Sequence, residues 1–305
     1  MTMSRIWKAA IPLTVITGLA VGCATASSSH DRSTLCTSRL VYDRASSGPP
    51  QVLTMSGTGQ QVQNLGVGHA PKWSPNGRLI AFDRLTGAGG HIFVMRADGK
   101  GVRDLTPGFL GRFATGAAWS PDGRWLAFGS GSGPTNGALW VVGADGSNPH
   151  MLVNVPGREE HPSWSPDGTR IVFDSPLANG PDHLYVVGSD GSGAHRITAN
   201  GLDAWGADWV SPDVIMFANG AGSPTSNIYT IGPDGSGLRQ LTHAPTGVTY
   251  GLPRQQSNGG LIAFMAATPS HVAIYTMTAS GTQMRKLTSG QPGFNGWPDW
   301  SPCRA

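Results

Sequence analysis

Among the side chains here that could hold a metal ion or relay a proton, His69 and His161 stand out. Each lies shortly before a Trp-Ser-Pro stretch, at Trp73 and Trp164. The carboxylate of Glu160 or Asp203 could supply a third ligand. Neither histidine belongs to an H-x-H or H-E-x-x-H pattern, the spacings that bring two imidazoles onto one ion. His91 and His183 also occupy corresponding places, but Ala138, Asn227 and Ala273 stand there in other units, so both read as solvated strand starts. No G-x-S-x-G elbow occurs, which argues against a serine peptidase of the α/β-hydrolase type. No catalytic residue, metal or other cofactor is expected.

Composition points the same way. Charged residues make up 13% of the 305-residue chain, 44 residues are glycine, and the formal net charge is +3. That is a turn-rich globular chain, with no Lys/Arg run and no basic helix for nucleic acid.

The elements that must position the rim histidines are set by a repeat. "WSPNGRLIAF" at 73, "WSPDGRWLAF" at 119, "WSPDGTRIVF" at 164 and "WVSPDVIMF" at 209 each lead into an apolar run. Next come a β-branched or aromatic run ending in a turn, such as "ALWVVGADGSN", and a short exit strand such as "RDLT" or "RQLT". Trp73, Trp119, Trp164 and Trp209 are 46, 45 and 45 residues apart, and Trp300 is 91 beyond Trp209. The intervening unit, "LPRQQSNGGLIAF", has lost its Trp. Four strands per unit is the pattern of a propeller blade. Pro-Asp-Gly suits the first hairpin, because Pro presets φ, Asp bonds its own backbone and Gly takes a left-handed conformation. Asp98, Asp122, Asp145, Asp167, Asp190 and Asp234 are therefore read as turn formers.

"WPDWSPCRA" begins the phrase a last time and supplies only an innermost strand. Its partners are "SRLVYD", "QVLTM" and "QVQNL" at the front of the chain. The expectation is an all-β, six-bladed propeller over residues 37–305, closed by pairing of N- and C-terminal strands. Cys36 and Cys303 fall at the cut ends of the last hairpin, where a disulfide would replace the turn. Closing a loop of about 270 residues stabilises by up to ~5 kcal/mol in the chain-entropy model.

The first residues read as an export signal. Arg5 and Lys8 precede the apolar run Ala9 to Val21. "AVGC" then resembles a bacterial lipoprotein cleavage box, which implies a signal peptide over 1–22 and lipidation of Cys23. Residues 23–36 read as a flexible tether.

The W-S-P-D-G, I-A-F, D-G and R-x-L-T unit resembles the TolB-type propeller repeat. That resemblance implies an extracytoplasmic binding platform with a protein or peptide partner in the envelope; the cleavage box adds a lipid anchor, or secretion where it is not used, and the chain is expected to be monomeric. Some propellers resembling this one are sugar-acid lyases that hold a metal with several histidines. The alternative is accordingly a metal-dependent carbohydrate-active lyase or hydrolase, or a sugar-binding propeller.

The Pro-Asp-Gly and Asp-Gly hairpins share one face and are uniform. The opposite face carries longer, dissimilar loops, and binding residues favour variable loops on a regular scaffold. Around the channel mouth on that face the sequence offers His69, Arg112, Phe113, Arg158, Glu160, His161, Asp203, Trp205, Tyr250, Phe294 and Trp297. Aromatics with Arg suit peptide-binding surfaces. The run Arg158-Glu159-Glu160 is expected to be solvated.

Overall fold

The computed structural model describes residues 38–302 apart from 88, 110–111, 134–135, 156, 177–179, 221–223 and 290–292. Cys23, Cys36 and Cys303 lie outside the described residues, and with them the expected signal peptide, tether and disulfide.

Among the described residues every regular element is a β-strand. The first blade runs outward from His69–Trp73 through Leu79–Thr86 and Gly89–Arg96 to the short strand Arg103–Asp104, each antiparallel to the one before. The pattern recurs behind innermost strands Phe113–Trp119, Glu160–Trp164, Ala204–Ser211 and Thr249–Gln255. The sixth blade is assembled from both ends of the chain. Phe294–Trp300 pairs antiparallel with Arg39–Ala45, which is followed by Gln51–Ser56 and Gln63–Val67. The six innermost strands touch in cyclic order, and Phe294–Trp300 meets His69–Trp73 to complete the ring.

Each blade buries one aromatic in its second strand: Tyr42, Phe82, Phe128, Phe173, Phe217 or Phe264, all fully buried. Truncating such a ring to Ala costs about 3–5 kcal/mol. The repeat Trp residues pack between blades. Trp119 and Trp164 also donate their indole N–H to the carbonyls of Lys72 and Ala118 in the preceding blade, both at 3.2 Å. The Thr that follows four of the exit strands has a bonding role as well. The hydroxyls of Thr106, Thr198, Thr242 and Thr288 accept from the backbone N–H of Ile92, Leu184, Ile228 and Ile274 at 2.9–3.0 Å.

The turn formers act as their residue types dictate. In the second blade Ser120 N–H donates to the Trp125 carbonyl at 2.9 Å, Trp125 N–H donates back to Ser120 Oγ at 3.0 Å, and Asp122 Oδ1 accepts from Arg124 N–H at 3.0 Å. The degenerate fifth blade keeps this geometry with other atoms. Gln256 Oε1 takes the place of the Ser hydroxyl, accepting from Leu261 N–H at 2.9 Å, and Asn258 accepts from Gly260 N–H at 3.0 Å. The interrupted turn keeps its bonds too. Ser301 N–H donates to the Arg39 carbonyl at 2.8 Å, and Arg39 N–H donates to Ser301 Oγ at 2.9 Å. The closing blade therefore reproduces the intact hairpin across a cut chain.

Candidate functional site: two mouths of one channel

All six innermost strands carry a register shift, and at each shift stands a residue with positive φ: Ala70, Gly116, His161, Gly206, Leu252 and Trp297, with φ between 47° and 68°. Only two are glycine. The left-handed conformation costs other residues on the order of 1–3 kcal/mol. Carboxylates fix three of the bulges. Asp43, Asp83 and Asp174 each follow the buried aromatic of a second strand. They accept the N–H of Ala70, Gly116 and Gly206, one blade further on, at 3.2, 3.4 and 3.1 Å.

These bulges decide what the loop-face mouth presents. His161 and Trp297 are themselves the left-handed residues, and both are 9% exposed. They plug the channel rather than stand on its rim, together with Ala70, Leu252 and Met265. The Trp297 ring is stacked on His161 at 5.0 Å and meets His69 edge-on at 4.9 Å. Trp205 lies against the backbone of Gly251, where a Cβ would come within 2.0 Å of its ring. Tyr250 packs edge-on against Phe264 at 5.1 Å. Phe294 is partly buried and packs against the plug. Trp205, Tyr250 and Trp297 are thus each held by their own neighbour rather than arrayed around one pocket.

His69 sits between two acids, with Nε2 3.3 Å from Asp43 Oδ2 and Nδ1 3.1 Å from Asp83 Oδ2. Both nitrogens face a carboxylate, which requires an imidazolium donating at each. Burial alone would push its pKa down; Asp43 and then Asp83 outweigh that and hold it at about 9. Asp43 is itself pushed up to about 6 by burial, against the pull of His69.

His161 Nδ1 lies 2.9 Å from Asp174 Oδ2 and 3.0 Å from Oδ1, and Glu160 accepts from Arg158 at 2.5 Å. Burial opposes protonation of His161, but Asp174 raises its pKa on balance. Glu160, His161 and Asp174 offer atoms within 4.8 Å of one another that could hold a metal ion. His69 and Asp203 do not join them. Asp203 Oδ1 instead accepts the backbone N–H of Asp182 at 2.8 Å, which ties down a loop. The cluster is also satisfied internally, since Asp174 Oδ1 takes Gly206 N–H as well and Glu160 has Arg158.

Two expectations are corrected. Glu159 is not solvated: it is 1% exposed, its Oε1 accepts Val155 N–H at 2.7 Å, and Gly129 and Gly137 give it room. Burial raises its pKa. His91 and His183 are buried as well, His91 bonded to Asp104 at 2.7 Å and His183 facing Thr198 at 3.3 Å.

What the loop face does expose is Arg112 and Phe113. Phe113 is paired with Gly90, whose partner across the hairpin is Leu85, so the two side chains flank one glycine. Phe113 is 48% and Leu85 62% exposed. Leu85 sits in the Gly-rich stretch "DRLTGAGG", where the sequence pattern assigns it no face.

The hairpin-face mouth is different. The residue before each repeat Trp, or before Gln255 in the blade that lacks it, lines this mouth, giving Lys72, Ala118, Ser163, Asp208, Arg254 and Asp299 in order around a cavity of about 300 Å³. Lys72 Nζ is 3.6 Å from Asp299 and Arg254 Nε is 4.0 Å from Asp208. Asp299 also accepts Trp73 N–H at 2.8 Å, Asp208 accepts Gln255 N–H at 3.1 Å, and Ser163 accepts Trp209 N–H at 3.0 Å. Burial, and after it the charge of Arg254, lowers the Lys72 pKa to about 8. The signal was in the sequence as charges preceding Trp, in "KW" and "DW".

Residues 114–304 match the TolB beta propeller domain family. Over 59 residues, 19% of the chain, it is 49% identical to the Tol-Pal system protein TolB of Gluconobacter oxydans (strain 621H), of which those residues cover 12%. The crystal structure of TolB from Acinetobacter baumannii superposes with a TM-score of 0.73 at 17% identity, covering 87% of this chain and 66% of that one. A putative TolB from Agrobacterium tumefaciens gives 0.63 at 19% identity, over 82% and 88%. An oligogalacturonate lyase in complex with manganese gives 0.56 at 16% identity, over 81% and 73%. At these identities the structural likenesses show the fold. With the family match covering well over half of its residues, the chain belongs to the TolB β-propeller domain family.

Proposed function

We propose that this protein is a non-catalytic, extracytoplasmic binding propeller whose loop-face channel mouth receives a protein or peptide of the cell envelope. The observation that carries this reading is the exposed pair Leu85 and Phe113 beside Arg112. Apolar and aromatic side chains next to Arg are what protein interfaces enrich. An exposed apolar patch on a rigid scaffold favours a partner that covers it. The plug formed by Trp297, Leu252 and Met265 closes the channel beneath, so the partner rests on the mouth and meets His69, Arg158 and Glu160 at its edge. Lipidation at Cys23 and a Cys36–Cys303 disulfide belong to the same proposal: the first would hold the propeller at a membrane, the second would staple its ring.

The test is affinity capture from an envelope extract with the wild type and an Arg112→Glu/Phe113→Ser variant. A protein retained by the wild type and lost by the variant supports the reading. Equal capture by both overturns it. The second reading, a metal-dependent carbohydrate-active enzyme, has one observation in its favour, the Glu160, His161 and Asp174 cluster. Metal analysis of the same preparations decides it: a stoichiometric transition metal, lost on His161→Ala, would replace the binding reading.

A further inference from the structure

On the hairpin face, sharing Pro121 and Trp164 with the channel cavity, a groove of about 430 Å³ opens between the second and third blades. Trp125 and Trp164 line it, with Asp122 and Asp167 at its edge, His150 beside Trp125, and no Lys or Arg in its lining. Trp125 is peculiar to this blade. The residue whose N–H caps the turn's Ser or Gln is Leu79 in the first blade, Arg170 in the third and Leu261 in the fifth. One blade on, the corresponding notch is already filled from within: the Arg170 guanidinium stacks over the repeat Trp209 at 4.8 Å. Arg170 stands where the second blade has Trp125, so the fold shows a guanidinium seated on a repeat Trp, whereas between the second and third blades two indoles line the groove and no guanidinium does.

We propose that the groove of Trp125, Trp164, Asp122 and Asp167 is a second binding site, for an arginine side chain of a partner polypeptide. A guanidinium is planar and weakly hydrated, stacks on indole faces and bonds carboxylates. Two indoles supply the faces. Asp122 and Asp167 supply two negative charges, and both are held in their ionised form by bonds from their own turns. For Asp122 these come from Ser120 and then Arg124 N–H, for Asp167 from Ser165 and then Thr169 N–H. The site faces away from the loop-face mouth and does not depend on it.

The probe is acetyl-arginine methylamide, followed by indole N–H resonances of the 15N-labelled protein. Its neutral citrulline counterpart is the control. Trp125→Leu identifies one resonance and places in the second blade the residue type that the first carries at Leu79. Asp122→Asn/Asp167→Asn keeps the turns, since Asn76 already accepts Arg78 N–H at 3.0 Å in the first blade. We expect saturable shifts confined to Trp125 and Trp164, at about fivefold or more lower concentration for arginine than for citrulline, as cation–π and charge terms near 1 kcal/mol imply. The Asn double variant should remove that preference. Equal response to the two probes, shifts spread over all the tryptophans, or no saturable shift would overturn the proposal.

Discussion

The two ends of the channel are built from the same six strands and solve opposite problems. At the hairpin-face mouth four charged residues, Lys72, Asp208, Arg254 and Asp299, surround a cavity and neutralise one another. At the loop-face mouth left-handed bulges turn Leu252, His161 and Trp297 inward as a plug, and carboxylates beneath them bind backbone N–H groups and His69. In the charged ring each ion is pinned to an oppositely charged neighbour. An apolar plug closes because nothing holds it away from itself. The closed end therefore offers a surface, and the open end a cavity.

Several experiments sharpen that contrast. The largest effect belongs to the proposed staple at the hairpin face. Counted along the sequence, forward from Ser301 and back from Arg39, Cys303 and Cys36 both align with Asn76 of the first repeat. Cys36→Ser should lower unfolding free energy by up to ~5 kcal/mol, and a non-reducing peptide map of the wild type should contain the linked pair. An unlinked map with unchanged denaturation would show that the turn bonds of Ser301 and Arg39 suffice.

Next, Asp299→Ala should cost about 3–4 kcal/mol, since it leaves Lys72 buried without its counter-ion and Trp73 N–H without an acceptor. Lys72→Met/Asp299→Leu should recover much of that in urea denaturation, because replacing a buried pair is gentler than breaking one. At the loop face the cost is smaller because the His69 side chain is 36% exposed. His69→Gln should cost roughly 1–2 kcal/mol at neutral pH, discounted for solvent.

The pH dependence follows from the direction of the His69 shift. Its folded pKa is raised from 6.5 to about 9, so its stabilisation is complete below 6.5 and fades as pH rises through 9. Wild-type and His69→Gln denaturation curves should therefore converge near pH 10. Asp43 acts with the same sign in a lower window. Raised from 3.8 to about 6, it makes stability fall as pH rises from 4 to 6. The smallest stability effect is expected for Phe113→Ser, within about 0.5 kcal/mol of wild type, because the ring is half exposed and packs little.

The fold was legible because its cues are local and repeated. The Trp-Ser-Pro phrase states a turn with a mechanism, and five copies at even spacing fix the blade count, the sixth place being kept by Gln256 and Asn258. The site was only half legible. Arg112 and Phe113 stand exposed at the start of an innermost strand, as their position on the variable face predicts. His161 and Trp297 were found too, but with the wrong orientation. Side-chain direction along a strand is counted in twos, and a left-handed bulge breaks the count where no glycine announces it. Gly116 and Gly206 mark that position in two blades; Ala70, His161, Leu252 and Trp297 conceal it in four. Asp43, Asp83 and Asp174 were invisible for a related reason, since their partners lie one blade away and only the ring brings them together.

The measurement that separates the two mouths most directly is site-specific photo-crosslinking in envelope extract. A photoreactive residue is placed either at Phe113 on the loop face or at Ser257 beside the hairpin-face cavity. A discrete adduct from position 113 and none from 257 is the expected result. An adduct from 257 alone would contradict the central claim and move the partner to the charged end of the channel.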